Sequence, residues 1–472
     1  MEREKKLVKN TLIVAAGKIC TQFISFFLLP LYTSLLSAEE YGTVDLLNTY
    51  VALLIPIVFF QIDQAIFRYL IDARENETKK KKLIATTCYI VFIQAILYLL
   101  IYFVLARYIQ NDYKYFLAVN VVVIASANIL LQISRGLGDN ITYSQGSLIT
   151  GASTILLNVL FILFFKFGAY GMLTATAMAN IFCILFIIIK KKVYIYLKIN
   201  NFSKNTLITL WKYSWPLIPN QLSWWIINVS DRLIITYVLG VALNGIYSAS
   251  NKFSSVCISL FSIFNITWAE SASIHINDKD SSNYFSYIMN ITVKLFTALC
   301  VLIIAFMPFV FRIFITGIDY KSAYYQIPLL MLATIFNIIV SLLGSIYVAL
   351  KKTDEIAKTS IYSAIINIVI NLLLINFIGL YAASLSTFVS YLAMAIYRYI
   401  DIQKYVKLRL DLRFLLISIP IIIIIIIIYY TKNPQLCLLG LIVASIYSFV
   451  FNKNIIAMLL NTLKEKIIKG GK

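Results

Sequence analysis

Only one histidine, His275, occurs among the 472 residues of the chain. With a single imidazole in the chain, a His-based metal site and a Ser-His or Cys-His catalytic pair are nearly excluded. The sequence also shows no phosphate-cradling glycine loop and no soluble catalytic domain. We therefore expect a protein that is not an enzyme and that uses no metal or other cofactor.

Cysteine is also scarce, and the six residues are widely separated. Each falls in or beside an apolar stretch, and no CxxC motif occurs. Free thiols buried as small hydrophobic side chains are the expected state. The six are Cys20, Cys88, Cys183, Cys257, Cys300 and Cys437.

Charged residues are also few for a chain of this length. Charged residues make up 13% of the chain and hydrophobic residues 61%, with a mean hydropathy of +0.85. Ordinary soluble chains are about 25% charged and roughly 45–50% apolar. The composition predicts an all-α polytopic membrane protein. The net charge of +20 lies mostly in short loops between apolar spans, which argues against a nucleic-acid partner.

The sequence contains fourteen apolar stretches of about 20 residues, which is the length that a helix needs to cross the hydrocarbon core. We expect transmembrane helices near 11–36, 43–67, 83–106, 114–134, 143–165, 171–190, 213–239, 245–268, 286–312, 325–350, 359–376, 380–399, 414–430 and 435–451.

The positive charges predict how these spans are oriented. Of the 41 Lys and Arg, 31 lie in loops and tails on the side of the amino terminus, and 6 lie in loops on the opposite side. Such asymmetry marks the cytoplasmic face. We therefore expect both termini in the cytoplasm. The basic stretch Met1–Asn10 precedes a span without a small-residue cleavage site, so we expect no cleavable signal peptide.

The chain also repeats itself. Residues 36–42 (LSAEEYG) link two spans, and a shift of 203 positions leads to 239–245 (LGVALNG) between two later spans. Asn48 and Asn251 follow at the same distance. A duplicated bundle typically places its substrate site where the repeats meet. We expect an amino-terminal lobe at 1–192, a cytoplasmic linker at 193–212, a second six-helix lobe at 213–403, and two further spans with a tail at 404–472.

Span 7 carries the richest set of polar residues within an apolar segment. At helical spacing they form one broad polar and aromatic face, and Pro216 and Pro219 should loosen the helix near its inner end. Asp231 and Arg232 could neutralise each other, or Asp231 could orient an Arg that still binds a ligand. The face comprises Asn220, Gln221, Trp224, Trp225, Asn228, Asp231 and Arg232.

Cations at membrane depth are costly, at about 2.5–3.5 kcal/mol each, and therefore usually face a cavity or a partner. Lys18 and Gln22 occupy the matching face of span 1, and Lys252 lies in span 8. A cavity lined by these cations and by Trp and amide side chains suits an anionic ligand with a sugar-like part. Second-rank candidates, for which interfacial anchoring or snorkelling is an open alternative, are Arg68, Arg135 and Lys294, with Asp63 as a deep acid.

The stretch from Tyr213 to Arg232, followed by Asn-Gly-Ile-Tyr-Ser at 244–248, resembles the Wzx-type polysaccharide transporters. These belong to the multidrug/oligosaccharidyl-lipid/polysaccharide (MOP) exporter superfamily. The resemblance implies a MATE/MurJ-like fold and alternating access through a cationic central cavity. It also implies that Lys18, Arg232 and Lys252 line that cavity.

The implied substrate is an undecaprenyl-diphosphate-linked oligosaccharide, an O-antigen or capsule unit, moved between leaflets of the bacterial inner membrane. Membrane lipids and a polysaccharide polymerase are the implied partners. A flippase for another diphosphate lipid, such as lipid II, is a close alternative, and a drug exporter is less favoured because few acids lie at depth. A membrane-embedded polysaccharide polymerase or ligase is a further alternative from a different class, against which stands the lack of a long outer loop in the sequence. Proton, sodium or membrane-potential coupling all remain open.

Overall fold

The computed structural model describes residues 26–108, 111–350 and 352–470. Within them the chain is helical, with short 3₁₀ segments and one π-helical turn, Val159–Phe164. Sixteen α-helices occur in this part of the chain. They are α1 Leu29–Leu35, α2 Ala38–Val58, α3 Ile62–Asp72, α4 Glu77–Leu105, α5 Lys114–Gly136, α6 Asn140–Asn158, α7 Gly168–Lys191, α8 Lys204–Ser214, α9 Leu217–Val238, α10 Val241–His275, α11 Ser281–Phe314, α12 Ile327–Ala349, α13 Thr353–Ile378, α14 Leu380–Ile402, α15 Leu412–Thr431 and α16 Pro434–Gly470.

Twelve segments of the described chain are long and apolar enough to cross a membrane. The predicted span 1 lies mostly outside the described residues. The predicted span 7 forms α9, a helix of 22 residues whose many polar side chains keep it outside that apolar set. The twelve are Ala38–Val58, Glu77–Tyr108, Lys114–Gly136, Asn140–Phe164, Gly168–Lys191, Val241–His275, Ser281–Phe314, Ile318–Ala349, Asp354–Ile378, Leu380–Ile402, Leu412–Thr431 and Pro434–Lys453. The count of fourteen stays a prediction.

The helix ends follow from local sequence. Ser37 begins α2 with a capping box, in which its hydroxyl accepts from the Glu40 N–H at 3.1 Å and the Glu40 carboxylate accepts from the Ser37 N–H at 3.0 Å. Pro216 lies between α8 and α9. The helix is therefore interrupted here, where the sequence predicted that proline would loosen it. Asp411 caps α15 by accepting from the Phe414 N–H at 3.1 Å.

Span 2 differs from its prediction. We expected one helix at 43–67, but the structure has α2 ending at Val58 and α3 beginning at Ile62. Pro56 lies inside the last turn of α2, and Phe60 and Gln61 between the helices have φ of 50° and 54°. These left-handed residues interrupt the helical hydrogen bonds, so backbone N–H and C=O groups between the two helices lack partners within a helix. Inside a membrane, such groups can find partners only in a cavity or on a packed neighbour.

The chain divides into two compact units, one ending at Ser248 and the other beginning at Ala249, within α10. In the first unit, α2 packs against α5 and α9, while α5, α6 and α7 pack on one another. In the second, α14 packs on α12 and α13, and α11 contacts α15 and α16. The lobe boundaries given by the sequence repeat stay a prediction.

The sides of many helices carry exposed apolar residues. Ile423, Ile424 and Ile427 of α15 are 52%, 51% and 60% exposed, whereas Ile425 is buried within the second unit. Such large apolar surfaces are stable in lipid rather than in water. The exposed isoleucines of α15 therefore form a surface suited to contact with lipid.

The described cysteines agree with their prediction. All five have free thiols, and four are buried while Cys88 is half-buried. Cys20 lies outside the described residues.

Candidate functional site

The amino-terminal ends of α2 and α10 meet backbone to backbone in the first unit. A Cβ atom added to Gly42 would lie 2.0 Å from the Val241 carbonyl oxygen, and one added to Gly245 would lie 2.0 Å from the Ala38 carbonyl oxygen. The Asn244 side-chain amide donates to the Gly42 carbonyl at 3.1 Å. Neither glycine could carry a side chain without moving the helices apart. The contact is reciprocal, and its residues are related by the same shift of 203 that relates the two sequence segments.

Arg232 of α9 forms an ion pair with Asp45 of α2, with Nη1 and Oδ1 3.2 Å apart. Both groups are mostly shielded, with side-chain exposures of 23% for Arg232 and 11% for Asp45. The Arg232 Nε atom and the Asp45 Oδ2 atom are buried and have no hydrogen-bonding partner among the described residues. The pair therefore neutralises charge yet leaves one strong donor and one strong acceptor for a further group.

The sequence left open whether Asp231 neutralises Arg232 or orients it, and the structure adds Asp45 as an ion-pair partner of Arg232. The Asp231 carboxylate accepts a hydrogen bond from the Tyr247 hydroxyl at 3.1 Å, and it is Asp45 on a different helix that pairs with Arg232. Neighbouring residues on a helix do not face each other, so an adjacent acid is poorly placed to bind the guanidinium. Asp45 was not among the residues predicted for the site.

Trp225 strengthens the same contact between α9 and α2. Its indole N–H donates to the Thr49 carbonyl at 3.1 Å, while the Thr49 hydroxyl donates to the Asp45 carbonyl one turn earlier. The side chain of Trp225 thus lies against α2, as part of the polar and aromatic face predicted for span 7.

A cavity of about 430 Å³ lies beside the break between α2 and α3 in the first unit. Gln221 of α9 and Asp63 of α3, both predicted site residues, line it together. Asp63 accepts a hydrogen bond from the Gln64 side chain at 2.6 Å. The polar residues of its lining are Asn48, Gln61, Asp63, Gln64, Asn128 and Gln221.

Asn128 was missed by the sequence analysis. It lies in α5, an apolar helix that also carries the amides of Asn120 and Gln132. Amide side chains recurring within one span could have marked a helix face turned to a cavity, because unsatisfied polar groups are expensive in lipid.

The remaining first-rank residues are only partly described. Lys252 lies half-buried in α10, within the second unit. Lys18 and Gln22 lie outside the described residues. The side chains of Asn220, Trp224 and Asn228 lie outside the described part of α9. Their role in a cavity therefore stays a prediction.

The second-rank cations have structural contacts. Arg68 pairs with Asp72 at 2.7 Å on an exposed surface. The Arg135 guanidinium lies 4.5 Å from the centre of the Phe67 ring. Lys294 of α11 lies 2.6 Å from the Asp411 carboxylate, and this ammonium, together with the Phe414 N–H, lowers the pKa of Asp411. Lys294 thereby connects α11 to the start of α15.

Arg398 is a buried cation that the sequence analysis passed over. It is 1% exposed in the second unit, and its guanidinium donates to the Thr359 hydroxyl at 2.9 Å and to the Val340 carbonyl at 3.0 Å. Because its donors bind α12 and α13, Arg398 fixes the packing of these helices with α14. The hydroxyl-rich start of span 11, which includes Ser360, was the signal that could have pointed to it.

A family model described as "Polysaccharide biosynthesis protein" matches residues 7–269, which is more than half of the chain. The chain belongs to this family. The match covers the crossing of α2 and α10, the Arg232–Asp45 pair and the cavity beside Asp63. The family match confirms that the chain resembles the Wzx-type polysaccharide transporters, as the residues of spans 7 and 8 predicted. No curated protein sequence matches the chain.

Solved structures similar to this family member are transporters of the MOP superfamily. The lipid II flippase MurJ, in an inward closed conformation, is 18% identical, with a TM-score of 0.67, over 95% of this chain and 100% of that chain. An inward-facing multidrug resistance MATE transporter is 15% identical, with a TM-score of 0.64, over 84% and 95%. A MOP transporter from Pyrococcus furiosus is 14% identical, with a TM-score of 0.59, over 84% and 96%. The chain is therefore a multi-pass membrane protein with a MATE/MurJ-like fold.

Proposed function

We propose that the protein is a flippase that moves an undecaprenyl-diphosphate-linked oligosaccharide from the inner to the outer leaflet of a bacterial cell membrane. The supporting observation is that a chain of the polysaccharide biosynthesis family has a transporter fold. A polysaccharide precursor that is built on a lipid in the cytoplasm must cross the membrane before it can be used outside. Lys18, Arg232 and Lys252 are the cations proposed to attract its diphosphate.

Arg232 supports an anionic substrate most directly. Its Nη1 donates to Asp45, while the buried Nε has no partner among the described residues. A guanidinium offers donors in a planar fork that matches phosphate oxygens. A diphosphate that approached Arg232 would replace or share the acceptor that Asp45 supplies.

The same exchange would couple substrate binding to opening. Three contacts join α2 to α9 and α10 between the predicted outer ends of these helices and the middle of α2. They are the Arg232–Asp45 pair, the Trp225–Thr49 bond and the crossing of Gly42 with Gly245. Separating a partly buried ion pair is costly when its charges are left alone. A diphosphate bound to Arg232 removes part of that cost, so the loaded protein opens outward more readily.

A flippase for another diphosphate lipid is the second candidate, because MurJ, whose fold is similar, is described as a lipid II flippase. The same cations would bind either diphosphate. The two candidates differ in the sugar, so transport of each purified lipid by the reconstituted protein distinguishes them.

Substitution of the cations tests the proposed binding role. Arg232→Ala and Lys252→Ala should each reduce surface polysaccharide, while the protein remains abundant in the membrane. Loss of one charge-assisted hydrogen bond is worth about 1.5–3 kcal/mol, or roughly 10- to 150-fold in affinity. Arg232→Lys should retain part of the activity because it keeps the charge and loses the fork.

Arg107→Ala is the matched control, because Arg107 is exposed in the short segment Ala106–Tyr108 and does not line the cavity beside Asp63. It should leave surface polysaccharide unchanged. Normal polysaccharide in Arg232→Ala cells would contradict the proposed role. Disappearance of the variant protein from the membrane would assign Arg232 to folding instead.

A further inference from the structure

A second cavity, of about 940 Å³, lies in the second unit, and none of its lining residues is among those proposed to bind substrate. It is formed by the end of α11, the 3₁₀ segment Ile318–Gln326 and the turn between α15 and α16. In the predicted orientation these elements reach the outer face of the membrane.

Cations dominate the charge of this cavity. Of its twelve lining residues three are cations, Arg312, Lys321 and Lys432, and none is an acid. The predicted outer loops contain only six Lys and Arg in total, so half of the positive charge on this face converges on one cavity. The positive-inside bias disfavours such a concentration on the outer side. A ligand offers a physical reason for it.

The wall that carries Lys432 is held by paired tyrosines. The rings of Tyr324 and Tyr429 stack with their centres 4.1 Å apart, and each hydroxyl donates to the backbone carbonyl of the other residue, at 3.0 and 2.6 Å. Tyr430 stacks on Tyr325 in the same way, and its hydroxyl donates to the Tyr325 carbonyl at 2.9 Å. These bonds fix the end of α15 to the 3₁₀ segment.

Lys432 is positioned by this framework. Its ammonium lies 4.3 Å from the centre of the Tyr325 ring and 5.4 Å from that of Tyr324, and it contacts the Tyr325 hydroxyl. The residue ends α15 in a left-handed conformation, with φ of 54°. A lysine held by two rings and by an uncommon backbone conformation is preorganised, so it loses less side-chain freedom when it binds an anion.

The cavity is also continuous with apolar surface. Phe309, which lines it, is 41% exposed, and the neighbouring Ile313 and Ile318 are 63% and 76% exposed. Apolar side chains of this size are stable when lipid covers them. Cations above an apolar, lipid-facing wall match a phosphate group attached to a hydrocarbon chain.

We propose that this cavity binds the phosphate headgroup of a lipid in the outer leaflet. Arg312 and Lys321 supply the charge, and Lys432 closes the site from the turn between α15 and α16. The ligand chemistry, a phosphate anion on an apolar chain, is shared by a prenyl diphosphate and by an anionic phospholipid. Arg232 is not among the residues that line this cavity, and the proposal does not depend on which lipid the protein transports.

Binding to the purified full-length protein tests this proposal. The measurement uses an Arg232→Ala background, which removes one of the three cations proposed to bind substrate, and three probes: a short-chain prenyl diphosphate, short-chain phosphatidylglycerol and inorganic pyrophosphate. The double variant Arg312→Gln/Lys321→Gln should weaken binding of a lipid probe by about tenfold or more, because two charge-assisted contacts are lost. Higher salt should weaken binding to the unaltered cavity as well.

The control double variant, Arg107→Gln/Lys166→Gln, removes two other cations from the predicted outer face and should leave affinity within about twofold, since distant surface charges are screened. Equal effects of the two double variants would overturn the proposal. Tighter binding of the prenyl diphosphate would identify a transported lipid as the occupant, and tighter binding of phosphatidylglycerol a bilayer lipid. If pyrophosphate binds as tightly as either lipid, the lipid part of the proposal is wrong.

Thermal unfolding of each variant shows whether the comparison is between folded proteins. If the double variant in the cavity does not fold, Lys321→Gln replaces it, because the exposed Lys321 can be changed with little effect on packing. Unchanged affinity of a folded Lys321→Gln variant for every probe would then overturn the proposed contribution of Lys321.

Discussion

The reciprocal glycine contact makes a sharp prediction about conformational change. In Gly42→Ala the new methyl group would lie 2.0 Å from the Val241 carbonyl oxygen, whereas ordinary contacts begin at 3.4 Å. The neighbouring atom belongs to a backbone, so no rotation of a side chain relieves the clash. The helices α2 and α10 must separate locally by about 1.4 Å.

That separation would also weaken neighbouring bonds. The Asn244–Gly42 hydrogen bond is 3.1 Å long and would be lost if it lengthened by the same amount. Overpacking of this kind costs about 1–3 kcal/mol. A cost near 2 kcal/mol reduces the population of the observed arrangement about 30-fold relative to one in which the helices are apart. Gly42→Ala should therefore favour opening at the predicted outer face and impair transport.

Labelling of a buried cysteine measures this shift. Thr49→Cys lies one turn beyond Asp45, at a position that is 2% exposed, so a membrane-impermeant maleimide should label it poorly in intact cells. Adding Gly42→Ala should increase labelling. Labelling of the same chain without Thr49→Cys gives the background signal from the other cysteines. Gly440→Ala is the matched control, because its methyl group would first meet the Ile428 side chain at 3.1 Å, and that side chain can move. Full transport and unchanged labelling in Gly42→Ala would refute the reasoning.

Two further predictions concern pH and topology. Burial opposes charge on Asp139, but bonds from Lys191 and Thr142 outweigh it and lower the pKa of the Asp139 carboxyl to about 2. Because the folded pKa is below the unfolded value near 4, this stabilisation is present above about pH 4 and is lost as the pH falls towards 2. Asp139→Asn should thus lower the melting temperature at pH 7, and the difference should shrink towards pH 3; a difference independent of pH would contradict this. Reporter fusions after Lys82 and Lys192 should read cytoplasmic and those in 240–244 external, and an external signal at Lys192 would exclude the six-plus-six arrangement of lobes.

Periodicity and composition were sufficient to predict the helical architecture, because a lipid environment requires long apolar helices with satisfied backbone groups. Helix contacts were harder to predict. The pattern of span 7 indicated a polar face that included Arg232, but it could not indicate that Asp45, 187 positions away, would be its partner. A sequence pattern defines a face of a helix, whereas the partner of that face depends on tertiary packing.

The break between α2 and α3 shows a second limit. The run from 43 to 67 is apolar enough to suggest one span, yet left-handed residues at Phe60 and Gln61 divide it. Neither residue type requires that conformation, so no local signal beyond Pro56 marks the break. Asp63, which follows the break, was recognised as a deep acid, and the cavity that it lines explains how its carboxyl group is accommodated.

The location of the lipid-linked oligosaccharide in cells that lack the protein tests the proposed flippase activity most directly. The measurement is the amount of the complete lipid-linked oligosaccharide, and the fraction of it that an external, membrane-impermeant probe can reach. We predict that synthesis continues and that the oligosaccharide accumulates in the inner leaflet, beyond reach of the probe, until the protein is restored. Complete absence of the oligosaccharide would instead assign the protein to its assembly, and single units that are accessible outside but never polymerised would assign it to polymerisation.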